Sequence, residues 1–156
     1  MNWKKLNGKI VLFSLFNIPA DGQTDYTGKA MQYISKTYKR NDLLHLLSIS
    51  VNPAGRSALL KDYAGLLQAD PQQWDLLSGD STRVYPLISK GLFLDALKIT
   101  DNGVDRFTYS NLLVLADSRH RIRGYYDATH SEALSKLDDE IKVLIAEELR
   151  NKKDGR

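Results

Sequence analysis

Ile10-Val11-Leu12-Phe13-Ser14-Leu15-Phe16 is a short, almost continuous apolar run with β-branched and aromatic content. Such a run reads as a strand buried on both faces. Downstream of it, Pro19-Ala20-Asp21-Gly22-Gln23-Thr24-Asp25 is turn chemistry throughout. The spacing then predicts a helix from about Thr27 to Lys39, with Met31, Ile34 and Tyr38 on its buried side. Asp25 or Thr27 can cap its exposed amides. Leu43 to Val51 predicts a second central strand.

Farther out, a helix is expected from about Ser57 to Leu67, with Leu59, Leu60, Tyr63, Leu66 and Leu67 facing inward. Asp70-Pro71 breaks the chain, and Trp74 to Leu77 reads as a short strand. Asp80 or Ser81 starts another helix, with Pro86 early enough to be tolerated. Leu92 to Phe107 is the least legible region and carries a turn at Asp101-Asn102-Gly103. Asn111 to Ala116 and Arg121 to Tyr126 predict a hairpin across Asp117-Ser118-Arg119-His120. Thr129-His130-Ser131-Glu132 fits a capping box ahead of the last helix. That helix has the apolar stripe Leu134, Leu137, Ile141, Leu144 and Ile145. Strands alternating with helices and closing on a hairpin and a helix describe an α/β thioredoxin-like fold, a central mixed β-sheet flanked by helices.

The chain has 156 residues, 42% hydrophobic and 26% charged, which suits one domain over residues 1–156. Its formal charge of +3 is matched by the tail, Arg150, Lys152, Lys153 and Arg156 against Asp154. The remainder is neutral, so nucleic acid is not an expected partner, and residues 150–156 read as a basic frayed end. Cysteine is absent, which excludes disulfides, thiol catalysis and thiolate metal ligands. No apolar run approaches the ~20 residues of a membrane span, and Met1 to Lys9 lacks the features of a signal peptide.

Two stretches carry a resemblance to a known family. One is Leu46-Leu47-Ser48-Ile49-Ser50-Val51-Asn52-Pro53, followed by Leu59-Leu60-Lys61-Asp62-Tyr63-Ala64 and Trp74 to Asp80. The other is Tyr109-Ser110-Asn111-Leu112-Leu113-Val114-Leu115-Ala116-Asp117, followed by Arg121-Ile122-Arg123-Gly124-Tyr125-Tyr126-Asp127. Both resemble the Sco/SenC family, thioredoxin-like proteins that deliver copper to cytochrome c oxidase through a C-x-x-x-C loop and a distant His. An ungapped register from Gly8-Lys9, which also matches Met31, puts the two cysteine positions on Ala20 and Thr24. The downstream motif puts the histidine position on Tyr109. Copper(I) prefers sulfur and imidazole, so the resemblance implies a degenerate member with no cofactor and no enzymatic activity. It implies a protein-interaction or scaffold module. It further implies a respiratory oxidase or its assembly factors as partner, and a periplasmic or membrane-anchored, periplasm-facing location.

Two other readings compete. The first is a copper or other metal carrier with substituted N/O ligands near the old site, for which Asp21, Asp25, His45, His120 and His130 are candidates. His45 reads as a packed or edge histidine, and His120 and His130 as solvated. The second is an enzyme using the helix start over Gly22 to Thr27 as an anion site. A partner surface is expected around Arg119, His120, Arg121 and Tyr126, with one of Tyr125 and Tyr126 facing inward and the other outward.

Overall fold

The computed structural model describes residues 3–17, 25–51, 57–78, 90–92 and 96–153. A 3-10 turn, Trp3–Leu6, leads into β1 (Ile10–Phe16), α1 (Tyr26–Thr37), β2 (Leu44–Ser50), α2 (Ser57–Leu67) and β3 (Trp74–Leu77). There follow β4 (Ala96–Asp101), β5 (Val104–Tyr109), β6 (Leu112–Ala116), β7 (Ile122–Asp127) and α3 (Ser131–Lys153). The five-stranded sheet has the order β3-β2-β1-β6-β7. β1 is parallel to β2, and β2 to β3, whereas β6 runs antiparallel to both β1 and β7. This is the mixed sheet flanked by helices that the sequence predicts. The helix expected from Asp80 or Ser81 lies outside the described residues.

The opening run sits where its pattern demands. β1 lies between β2 and β6, and its alternate residues enter different cores. Ile10 and Leu12 pack with Met31, Ile34, Leu46, Leu137 and Ile141 under the helices. Val11 packs with Leu6 and Leu47, and Leu15 with Ile49, Leu92 and Val114, on the opposite face. Ser14 is tolerated in this interior because its hydroxyl bonds to Ser48 Oγ at 2.7 Å, and Trp74 Nε1 donates to the same Ser48 Oγ at 2.9 Å.

Two expectations need correction. On α2 the inward stripe is Leu60, Tyr63 and Leu67, at helical spacing, with Leu67 buried and the other two half-buried; Leu59 and Leu66 fall off that stripe, and Leu66 is 77% exposed. The capping box at Thr129 does not form. The helix begins at Ser131, and the Thr129 hydroxyl bonds to Asp127 Oδ1 at 2.6 Å and His130 Nδ1 at 2.9 Å. α3 continues through Lys153, where Arg150, Lys152 and Lys153 in the last turn complement the carbonyl end of the helix.

The region that resisted sequence reading includes the β4–β5 hairpin, registered from Ala96↔Tyr109 to Asp101↔Val104. Its two-residue turn is Asn102-Gly103, both at positive φ (50° and 76°), the conformation that such a tight hairpin requires.

Candidate functional site

The carboxyl ends of β1 and β2 are where an open α/β sheet offers a ligand crevice. α1 starts there. Asp25 caps it, its Oδ1 accepting from Gly28 N at 2.9 Å. The other oxygen, Oδ2, accepts from the Tyr63 hydroxyl of α2. Tyr63 is aimed by stacking on Phe16 at the end of β1, with centroids 5.0 Å apart and planes 9° from parallel. Thr27, in the first turn of α1, donates to the Leu15 carbonyl at 2.8 Å and so ties the helix to the strand. Gly28 leaves the room this needs. A Cβ there would collide with the Asp25 carboxylate and lie 2.6 Å from the Tyr63 oxygen.

Tyr109, the last residue of β5, packs against the Leu15, Ile49 and Val114 cluster and brings its phenol beside Asp25 and Thr27. Burial pushes that phenol above its ordinary range and the Asp25 charge pushes it further. A hydrogen bond with Thr27 pulls the other way without reversing the shift. Burial, then the hydrogen bond and charge of Asp25, hold the Tyr63 phenol far above its ordinary value. Both phenols are therefore neutral at physiological pH; the Asp25 carboxylate accepts from Tyr63, and its charge acts on Tyr109 nearby.

Ala20 and Thr24, the cysteine positions of the resemblance, lie outside the described residues, as does Asp21. Tyr109 stands beside Asp25, the residue that follows Thr24. Among the described residues no group of three His, Asp or Glu side chains could hold a metal ion. The donors present do not fit Cu(I): a cysteine-free chain offers no thiolate, and a neutral phenol, an alcohol and a carboxylate are hard oxygen donors. An anion fits poorly as well, because Asp25 already occupies the Gly28 amide and places a negative charge at the helix start.

The remaining candidates scatter. His45 is fully buried on β2, with Nε2 2.9 Å from Asp75 Oδ2. Burial lowers its pKa against the pull of Asp75, so the imidazole is neutral. Nε2–H donates to the carboxylate and Nδ1 is left without a partner among the described residues. His130 is exposed beside Asp127, Nδ1 to Oδ2 3.2 Å. His120 Nε2 lies 3.0 Å from the Leu6 carbonyl, which ties the β6–β7 turn to the amino-terminal 3-10 turn. Arg121 Nε pairs with Asp117 at 3.0 Å, while Arg119 is exposed.

Tyr126 is the inward member of its pair and packs against the main core. Tyr125 is the outward one, 42% exposed, with its hydroxyl donating to the Leu92 carbonyl at 3.1 Å. Arg119, His120 and Arg121 lie at the β6–β7 turn, and Tyr126, farther along β7, is partly buried. Sequence reading missed the roles of Tyr63 and Gly28. The only local signals were an inward tyrosine on α2 and a glycine in a first helical turn, and their meeting with Asp25 is tertiary.

No family model matches the sequence, and no curated protein matches it. Solved structures do match. A SCO1/SenC family lipoprotein from Bacillus anthracis str. Ames superposes with a TM-score of 0.77 at 20% identity, over 93% of this chain and 86% of that one. The fold is that of the Sco/SenC proteins. Bradyrhizobium japonicum ScoI, solved with copper bound, matches with a TM-score of 0.67 at 20% identity, over 87% of each chain. BsSco, a member of the Sco family of cytochrome c oxidase assembly proteins, matches with a TM-score of 0.74 at 17% identity, over 90% of this chain and 82% of that one.

Proposed function

We propose that this chain is a Sco/SenC-type protein that has lost copper binding and thiol–disulfide exchange and acts as a protein-interaction module, not as an enzyme. The observation that carries this reading is the set of groups gathered at the start of α1. Where the resemblance calls for soft ligands, the chain has no cysteine anywhere, and Tyr109 stands as a neutral phenol beside Asp25. The Asp25–Tyr63 hydrogen bond further occupies the groups that an N/O-ligated metal carrier would need.

By resemblance the partner is a respiratory oxidase or one of its assembly factors, in a periplasmic or membrane-anchored setting. Two structural neighbours support that direction: one is a lipoprotein, and another belongs to a family of cytochrome c oxidase assembly proteins. Among the described residues no helix is long and apolar enough to cross a membrane. The test is crosslinking of the metal-free chain in membranes from its own source, followed by mass spectrometry. Recovery of oxidase subunits or their assembly factors without added copper is the expected result. Recovery that requires copper would overturn the reading.

A further inference from the structure

We propose that the amino end of the sheet is a docking face for an anionic phospholipid surface. The residues that meet there come from separate parts of the chain. The 3-10 turn is joined to the β6–β7 turn by His120 and Leu6, and the start of β1 to the turn between α1 and β2 by Ile10 N donating to the Leu43 carbonyl at 2.8 Å. The approach to β3 is joined to the same turn by Gln73 Nε2 donating to the Tyr38 carbonyl at 2.7 Å. Ser118 of the β6–β7 turn bonds to Glu148 near the end of α3.

Each of these segments brings cations. Lys5 and Lys9 lie on the way into β1. Lys36, Lys39 and Arg40 end α1 and the turn beyond it. Arg119 and Arg121 stand in the β6–β7 turn, and Arg150, Lys152 and Lys153 in the last turn of α3. The carboxylates at the same end are fewer, and several are engaged internally. Asp75 faces His45 and Lys5, and Asp117 pairs with Arg121 and Arg123. Glu147 faces Arg123 and Glu148 bonds to Ser118. Lys39, Arg40, Arg119, Arg150, Lys152 and Lys153 are exposed, and none has an ion pair among the described residues.

Helix-end capping accounts for part of this pattern, since cations suit the last turn of a helix. It does not account for Lys9, Lys39, Arg40 or Arg119, which lie outside any helix. An acidic protein is the weaker match. Protein interfaces are built on an apolar or aromatic centre depleted of charge, and here the exposed groups are dispersed lysines and arginines with Leu149 as an isolated apolar neighbour. Dispersed, flexible point charges match the dispersed anionic headgroups of a bilayer. The orientation follows: the Asp25–Tyr63–Tyr109 end, at the opposite edge of the sheet, faces away from the lipid. This inference does not depend on the loss of copper chemistry.

The experiment is co-sedimentation of the full chain with vesicles of phosphatidylcholine alone or mixed with phosphatidylglycerol, across a salt series. Binding to the mixed vesicles is expected to exceed binding to phosphatidylcholine and to fall as salt rises. The variant Lys39→Glu, Arg40→Glu, Lys152→Glu, Lys153→Glu is expected to lose at least about tenfold in partitioning, while Lys29→Glu with Lys136→Glu, at the other end, keeps most of it. Circular dichroism checks that both variants fold. Equal partitioning onto the two vesicle types, or equal loss in the two variants, overturns the proposal. So does tight binding to poly-glutamate with none to vesicles, which would assign the face to an acidic protein.

Discussion

The two ends of the sheet solve the problem of polar groups in opposite ways. At the carboxyl end, Asp25, Thr27, Tyr63 and Tyr109 are gathered from the start of α1, α2 and β5 into a half-buried cluster tied to the backbone and by the Asp25–Tyr63 bond. At the amino end, the cations of the 3-10 turn, α1, the β6–β7 turn and α3 project into solvent. At the end where the Sco/SenC resemblance places reactive ligands, the described side chains of Asp25 and Tyr63 bond to each other, and the opposite end presents exposed lysines and arginines. Position in a fold therefore does not conserve chemistry.

If the carboxyl end is a joint, cutting it should cost stability. Asp25→Ala removes the cap of α1 and the acceptor of the Tyr63 hydroxyl together, and a loss of about 3 kcal/mol is expected in urea unfolding. A loss below about 1 kcal/mol would mean that the cluster is incidental. Gly28→Ala drives a Cβ into the same pair of groups, and an overpacking cost of about 2 kcal/mol is expected. If instead it stabilised the helix as an ordinary Gly→Ala change does, the close approach would be refuted.

His45 sharpens the comparison through pH. Its pKa is lowered in the folded state, so below the ordinary histidine value of ~6.5 the unfolded chain binds more protons. The stability this group contributes is present above that value and is lost as pH falls through and below it. Asp117 behaves differently. Burial opposes its ionisation, but the Arg121 and Arg119 hydrogen bonds prevail and hold its carboxyl below the usual range, so its contribution is lost only in acid, below ~3.9. Urea midpoints at pH 7 and pH 5 should separate the two: wild type loses stability between them and His45→Gln does not. An unchanged wild-type midpoint would contradict the buried neutral imidazole.

The smallest effect belongs to the amino end. Arg40 sits at φ 65°, a left-handed conformation that costs energy to any residue with a Cβ. Arg40→Gly should gain up to about 1 kcal/mol. A clear loss would show that the arginine side chain holds this turn.

Most elements were legible because their periods are clean. β1 is apolar but for Ser14, β2 (Leu44–Ser50) is buried along its whole length, α1 repeats at Met31, Ile34 and Tyr38, and α3 repeats at Leu137, Ile141 and Leu144. The β4–β5 hairpin had its signal in Asn102-Gly103, with Leu97 and Ile99 alternating with Lys98 and Thr100, but the alternation is short and the charged residues dilute it. α2 misled because Leu59 and Leu66 share a heptad with its buried stripe without sharing its direction. At the site, Tyr109 was reached through the resemblance and Asp25 as a helix cap. Tyr63 as the partner of Asp25 was not legible, because a contact between residues on two helices leaves no local pattern.

The account rests on a carboxyl end with no soft donor and with neutral phenols. Titration of the purified chain with Cu(I), under reducing conditions against a chromogenic Cu(I) indicator, tests this directly. Ala20→Cys, Thr24→Cys, Tyr109→His serves as the reference for what a restored ligand set would do on the same scaffold. The account predicts that the wild-type chain takes no copper from the indicator beyond weak, nonspecific uptake. Stoichiometric binding by the wild type that survives a competing chelator would contradict it.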